Sequence, residues 1–338
     1  MLLEKLSNLD GASGDEARVR EFIQKRIRKY ADSMEIDALG NLICFKKGRV
    51  KKPIVLIAAH MDEVGFMVTE KRQNGTLGFS KVGGIDSRVI LAKTLRFGKN
   101  GTKGVIGAKP VHLLKKEEVT KIPGIDEMYI DVGAKSHKDF KDIEVGDYVY
   151  FDTCFEKISA KVVKGKAFDD RAGCSLIMDL FKEKFRMPLY GVFSTQEEIG
   201  LRGAMVIGNR LRPDYVIILE GTGAGDFPSK KDNSKSPFLG KGPALTVMDK
   251  SMIADKKLLE LIIKIAKRKG IPYQLKQPGI GGTDAGRIQI SRKGVKCAVI
   301  AVPARYIHSP VCLMNLSDYG NTLKLAKFVL KRLGDSGK

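Results

Sequence analysis

Glu197 and Glu198 stand side by side in VFSTQEEIGLRGA, where an apolar run ends. Two carboxylates placed there repel each other and are partly desolvated, so they need a cationic partner. A metal ion supplies one, and other residues of ligand type occupy comparable places. His60 and Asp62 follow VLIAA, Asp169 and Asp170 lie in AFDDRAG, Glu220 follows YVIIL, and His308 lies in PARYIHSP. Two imidazoles among several carboxylates suit zinc, cobalt or manganese, and no thiolate is placed for a structural zinc site. Asp62, two residues past His60, is placed to hold the second nitrogen of that ring.

Each residue also has an ordinary explanation. A lone histidine is more often packed than ligating, and either aspartate of the pair would cap the helix that follows it. The ordinary reading, however, needs five separate coincidences at one sheet edge. GIGGTDAG, residues 279–286, is a weaker signal. Its glycines allow close backbone approach, and Gly282, Thr283 and Asp284 are candidates for substrate contact, although Thr283 or Asp284 would serve equally as a helix cap.

The elements that position these residues follow from apolar periodicity. Ser13 and Glu16 have the spacing of a capping box, and Val19, Phe22, Ile23, Ile27 and Tyr30 share one helical face behind them. MEIDALGNLICFKK reads as two strands about a Gly40-Asn41 turn, and PIVLIAAHMDEVGFMV as one buried strand with a polar end. From residue 70 to 160 the texture becomes short strands and hairpins, with Asn74-Gly75 and Asn100-Gly101 as turns and SHKDFKDI as the one helical segment. After 160, helices and strands alternate again to the final helix, SDYGNTLKLAKFVLKRL, with GDFPSKKDNSKSPFLGKG as a long polar loop. The expected fold is α/β: a mixed-sheet α/β/α domain of residues 1–69 and 161–338, with a small β-rich, barrel-like domain of residues 70–160 inserted in it. Ligands of open α/β sheets bind beyond the carboxyl ends of the strands, where all five groups fall.

Composition restricts the partners. The chain has 60 basic and 39 acidic residues, a formal net charge of +21, yet the excess is spread along it without a basic tail or a nucleic-acid motif. A lysine-rich solvated surface accounts for it, so neither a nucleic-acid partner nor strict selection of acidic substrates is expected. Arg202, Arg287 and Arg305 are the arginines nearest the motifs and could fork a substrate carboxylate. No apolar stretch is long enough to span a membrane, the first residues lack a signal-peptide pattern, and the five cysteines form no C-x-x-C pair. A cytoplasmic protein is expected.

AAHMDEVGFMV, AFDDRAGC, STQEEIGLRGA, ILEGTGAGD, GGTDAG and PARYIHSP, in that order between residues 58 and 310, resemble the TET-type (tetrahedral) metallo-aminopeptidases, which include glutamyl and leucyl aminopeptidase-like members. VIGAKPVHLL, DVGAKS and VGDYV look like that family's inserted β-rich domain. The resemblance implies two divalent ions per subunit, with Asp169 bridging them, His60 and Glu220 completing one, and Glu198 and His308 the other. Glu197 would be the general base. The family commonly has Asp where this chain has Glu220. The resemblance further implies peptide substrates and dimers that assemble into a dodecamer through the β-rich domain. Two other readings compete: a carboxypeptidase or deacylase on the same site, and a basic nucleic-acid-binding protein.

Overall fold

A computed structural model describes the chain except residues 99, 141, 229–235, 277–278, 280 and 336–338. Four parallel strands form the centre of the larger sheet, in the order Leu189–Ser194, Val55–His60, Tyr215–Gly223 and Lys296–Arg305. Their apolar runs suit strands covered on both faces, and all six residues of Val55–His60 are buried. Antiparallel strands extend the sheet on both sides. Leu42–Lys46 and Ser33–Ile36 continue it beyond Leu189–Ser194, and Cys312–Asn315, Val162–Gly165 and Glu156–Lys157 continue it beyond Lys296–Arg305. Ala244–Thr246 also pairs with Lys296–Arg305 and carries the short strand Gln274–Lys276.

Helices cover both faces, giving the expected α/β/α arrangement. Helices Ala17–Ile27, Phe168–Leu180, Lys256–Arg268 and Leu316–Asp335 supply one core, with Val19, Ile177, Ile262 and Leu325 among its residues. Arg202–Leu211 and Ala285–Gln289 supply the other, through Ala204, Ile207, Ala285 and Ile288. Among the described residues no helix is long and apolar enough to cross a membrane.

The second unit is a closed six-stranded barrel: Gly65–Lys71, Thr76–Val82, Tyr129–Asp131, Lys103–Gly107, Thr94–Phe97 and Tyr148–Phe151 in order around it. Phe66 lies at its centre, edge-on to Phe79 and Phe151. Three local expectations are corrected. The apolar run expected as one strand is divided, because Val55–His60 lies in the large sheet while Gly65–Lys71 pairs only within the barrel. The barrel therefore begins at Gly65, ahead of residue 70, and Glu156–Lys157 already belongs to the large sheet. Ser13 and Glu16 make no capping box: Ser13 Oγ donates to Asp62 Oδ2 at 2.6 Å, and Glu16 Oε1 accepts from the amides of Gly14 and Gln196. The segment SHKDFKDI holds only a short 3₁₀ turn, His137–Asp139. Part of the long polar loop, 229–235, lies outside the described residues.

The turn between the two units rests on a buried charge network. Lys166 Nζ donates to Asp10 Oδ1 at 2.9 Å and Glu63 Oε1 at 2.6 Å, and Lys166 is 1% exposed. Arg171, fully buried, donates to the carbonyls of Leu6, Leu9, Gly11 and Met61. These contacts tie the amino-terminal segment to the chain just past His60. Removing one member of a buried pair leaves an uncompensated charge. Lys166→Met is accordingly expected to destabilise the fold by about 3–5 kcal/mol, read as a lowered denaturant midpoint at unchanged slope; a change below about 1 kcal/mol would mean the cluster is not structural.

Candidate metal centre

The strand ends bring the polar residues to one rim. His60 is the last residue of its strand, and Glu220 lies in Tyr215–Gly223 where the sheet meets the helix Phe168–Leu180. Glu197 and Glu198 follow Leu189–Ser194 through a turn in which Gln196 is left-handed, with φ of 55°. Asp169 and Asp170 open the helix Phe168–Leu180 with non-helical backbone angles. His308, left-handed at φ of 58°, lies in the loop between Lys296–Arg305 and Cys312–Asn315.

Asp169 lies between the two imidazoles. Its Oδ1 is 3.3 Å from His60 Nε2 and its Oδ2 is 3.5 Å from His308 Nε2. Glu198 Oε1 is 3.3 Å from His308 Nε2, and Glu197 Oε2 is 4.0 Å from His60 Nε2. Two groups have ligand atoms within 4.8 Å of one another: His60, Asp169 and Glu198, and His60, Glu197 and Glu220. His112 and His137 belong to neither.

Each ring turns its other nitrogen to a main-chain carbonyl. His60 Nδ1 is 3.0 Å from the Asp62 oxygen, and His308 Nδ1 is 3.0 Å from the Gly84 oxygen. A ring that donates Nδ1–H to a carbonyl presents the Nε2 lone pair, which is the tautomer a metal takes. Asp62 does more than the sequence suggested. Its carboxylate is 3.4 Å from His60 Nδ1, but its two oxygens also accept the amides of Glu197 and Glu198 at 3.1 and 3.0 Å. The residue past the first strand thereby sets the backbone of the glutamate pair. Asp170 has the structural part: its carboxylate accepts from the amides of Gly173, Gly221 and His60. A Cβ on Gly173 would lie 2.0 Å from the Leu219 oxygen, so that helix approaches its strand closely only because the position is glycine.

The charges are strongly coupled. Burial pushes the carboxyls of Glu197 and Glu220 well above the usual range, and neighbouring carboxylates push further. Burial also raises Glu198, to about 7. For His308, burial opposes protonation, but the carboxylates of Asp169 and Glu198 outweigh it and raise the ring to about 9. Asp169 is held low despite burial by hydrogen bonds and charge from both imidazoles. Glu220 Oε2 is buried without a hydrogen-bond partner among the described residues. Divalent cations would satisfy that oxygen and reverse the carboxylate shifts, so the donor set, its tautomers and its charge all fit metal binding.

Of the residues expected to meet substrate, Gly282 lines a cavity of about 180 Å³ that opens onto Asp169, Glu197, Glu220 and His308. Thr283 and Asp284 are buried beside it: Thr283 Oγ1 accepts from the Ala285 amide, and Asp284 takes a short hydrogen bond from Ser194 Oγ. Burial raises Asp284 to about 6. Arg305 is engaged elsewhere, forking both oxygens of Asp226 at 2.8 and 2.7 Å. Ser13, Gly84 and the cavity residue Lys276 were not foreseen. The adjacent glycines of KVGGIDS were the only sequence sign of a close approach at Gly84.

The M42 glutamyl aminopeptidase family model matches residues 40–325. The lysyl aminopeptidase of Pyrococcus furiosus is 35% identical over 98% of this chain and 96% of its own. A solved TET aminopeptidase from the marine sediment archaeon Thaumarchaeota archaeon SCGC AB-539-E09 superposes with a TM-score of 0.94 at 37% identity, covering 98% of this chain and 95% of that one. The TET1 peptidase of Pyrococcus horikoshii, which can assemble into a tetrahedron or a large octahedral shell, gives a TM-score of 0.84 at 32% identity, covering 97% of this chain and 98% of that one.

Proposed function

The chain belongs to the M42 glutamyl aminopeptidase family, and we propose that it removes N-terminal residues from peptides at the rim formed by His60, Asp169, Glu197, Glu198, Glu220 and His308. Metal-dependent N-terminal hydrolysis is the activity of that family. The number of ions and the part of each residue are this chain's own question. The observation that carries the reading is Asp169, whose two oxygens face two different imidazoles.

In this reading Asp169 would hold both of two divalent ions, with His60 and Glu220 completing one side and Glu198 and His308 the other. Each side would then offer three protein donors. The mixture of imidazole and carboxylate suits zinc or cobalt, with manganese also accommodated. Glu220, one methylene longer than aspartate, reaches from a strand position where its Oε2 has no other partner among the described residues. Bound divalent ions would supply the Lewis acidity that activates water near neutral pH and polarises the scissile carbonyl.

Glu197 is the carboxylate left over once each imidazole has its set. Its amide is pinned by Asp62, and its side chain lies among Asp169, Glu220 and His60. It takes the proton of the attacking water and hands it to the leaving amine. Asp62 positions this base and the neighbouring ligand through two amides. Asp62→Ala is therefore expected to lower kcat by about 10–100-fold while leaving the protein folded; unchanged kcat would show that the glutamate backbone holds itself. The free-amine requirement separates an aminopeptidase from a carboxypeptidase or deacylase.

The assembly follows the same reading: dimers building a tetrahedral dodecamer, with the barrel and its loops at the contacts. Its support is the apolar surface there, where Val111 is 71%, Leu113 60% and Ile122 57% exposed in the single chain. Light scattering at micromolar concentration should give a mass of many subunits, and a monomer would count against it.

A further inference from the structure

The turn that carries Glu197 and Glu198 gives four consecutive amides to side-chain acceptors. Thr195 donates to Asn41 Oδ1 at 3.0 Å, Gln196 to Glu16 Oε1 at 3.0 Å, and Glu197 and Glu198 to Asp62 at 3.1 and 3.0 Å. The carbonyls of Thr195, Gln196 and Glu197 accept from Gly203, Arg202 and Leu201. Gln196 is left-handed, a conformation that persists in a residue with a side chain only where its surroundings enforce it. Glu16, and Ser13, whose hydroxyl donates to Asp62 Oδ2 at 2.6 Å, lie ahead of residues 40–325, the span that the family model matches.

Their segment is fixed at several points. The Gly11 amide donates to Glu63 Oε1 at 3.2 Å, and the Gly11 carbonyl accepts the Glu63 amide at 2.9 Å. Two tyrosines of the barrel strand Tyr148–Phe151 hold it as well: Tyr148 donates to the Ser13 carbonyl at 3.2 Å, and Tyr150 to Asp15 Oδ2. Stability alone does not call for a carboxylate at position 16. Glu16 is 3% exposed, and burial pushes its carboxyl above the usual range against the Gly14 amide, with the Asp62 charge pushing further. A buried carboxylate without a paired cation is costly, and what its Oε1 holds are the amides of Gly14 and Gln196.

We infer that Ser13 and Glu16 are positioning residues for the reaction, Ser13 by fixing Asp62 beneath the amides of Glu197 and Glu198, and Glu16 by fixing the left-handed Gln196 before them. The inference rests on the aminopeptidase reading of the metal site. Neither residue belongs to the ligand groups or lines the cavity beside them, so both act through the turn. A turn released at Gln196 or Asp62 carries the base and the neighbouring ligand with it. For a reacting group, a displacement of about 1 Å costs about 100-fold in rate.

The test uses Ser13→Ala, Glu16→Ala and Glu16→Gln, each loaded with metal and assayed on free-amine anilides. Both alanine variants should lose about 10–100-fold in kcat per metal-loaded molecule at near-native KM, the result of removing a group that orients another. Glu16→Gln keeps an oxygen for the Gln196 amide and should return kcat to within about threefold of native. A second readout needs neither metal nor turnover. In the metal-free proteins, hydrogen exchange should quicken about tenfold or more at Gln196 in Glu16→Ala, and at Glu197 and Glu198 in Ser13→Ala. The helix Lys256–Arg268 should exchange as in the native protein, showing that the fold is intact. Native kcat or native exchange at the turn in either alanine variant overturns the assignment of that residue while leaving the aminopeptidase reading intact. A Glu16→Gln protein as impaired as Glu16→Ala does the same for Glu16. Failure of the metal-loaded native enzyme to hydrolyse any free-amine anilide overturns the aminopeptidase reading, and exchange at the turn then decides the positioning by itself.

Discussion

Glu197→Gln should keep its metal and lose about 10²–10⁴-fold in kcat. The amide is the same size and fits the same turn, whose geometry is set by main-chain amides donating to Asp62 and not by the glutamate side chain. What disappears is the capacity to accept a proton. Because general-base work is done in the transition state, kcat and kcat/KM should fall together while KM stays near its native value. Metal analysis on the same preparation is essential. A metal-replete variant with native turnover would remove Glu197 from proton transfer, and a metal-depleted one would make it a ligand, which its place in the His60 and Glu220 group also permits.

Asp169→Asn should act at an earlier step. Asp169 lies 3.3 Å from one imidazole and 3.5 Å from the other, so the carboxylate proposed as shared between the two sites goes with it. Losing a partner that merely orients a ligand costs about 10–100-fold in metal affinity. Removing the shared ligand should cost more, with both ions lost on dialysis and activity lost with them. His308→Ala should reduce occupancy on one side only, since the His308 Nε2 lies against Asp169 and Glu198. Full occupancy by two ions in both variants would contradict this division of ligands.

Much of the fold was legible because its signals are local. The buried runs, the Asn-Gly hairpins and the amphipathic helix Lys256–Arg268 are written in consecutive residues. The gathering of His60, Asp169, Glu198, Glu220 and His308 was legible for another reason: His60 ends, Glu198 and His308 follow and Glu220 lies in one of the four parallel strands, whose carboxyl ends share one edge, while Asp169 enters from the antiparallel strand Val162–Gly165. What the sequence concealed are contacts between distant segments. Ser13 holds Asp62 from 49 positions away, and the Gly84 carbonyl holds His308 from 224 away. Periodicity carries no trace of either. The capping box failed for the same reason, since the Ser13 hydroxyl donates to a carboxylate across the fold. The early start of the barrel was hidden because residues 61–64 read as a continuation of the buried strand, whereas Glu63 there accepts from Lys166 and the next strand, Gly65–Lys71, already pairs within the barrel. Arg305 looked available only because its partner, Asp226, lies 79 positions back.

The central claim is that this rim is a metal-dependent centre acting on free N-termini. It is tested most directly with chelated protein, assayed on leucyl and glutamyl anilides and on their N-acetylated forms, before and after zinc, cobalt or manganese is returned singly. Chelated protein should show no turnover, activity should return with at least one of the metals, and only the free-amine substrates should be hydrolysed. Full activity without metal, or equal hydrolysis of the acetylated substrates, would contradict it.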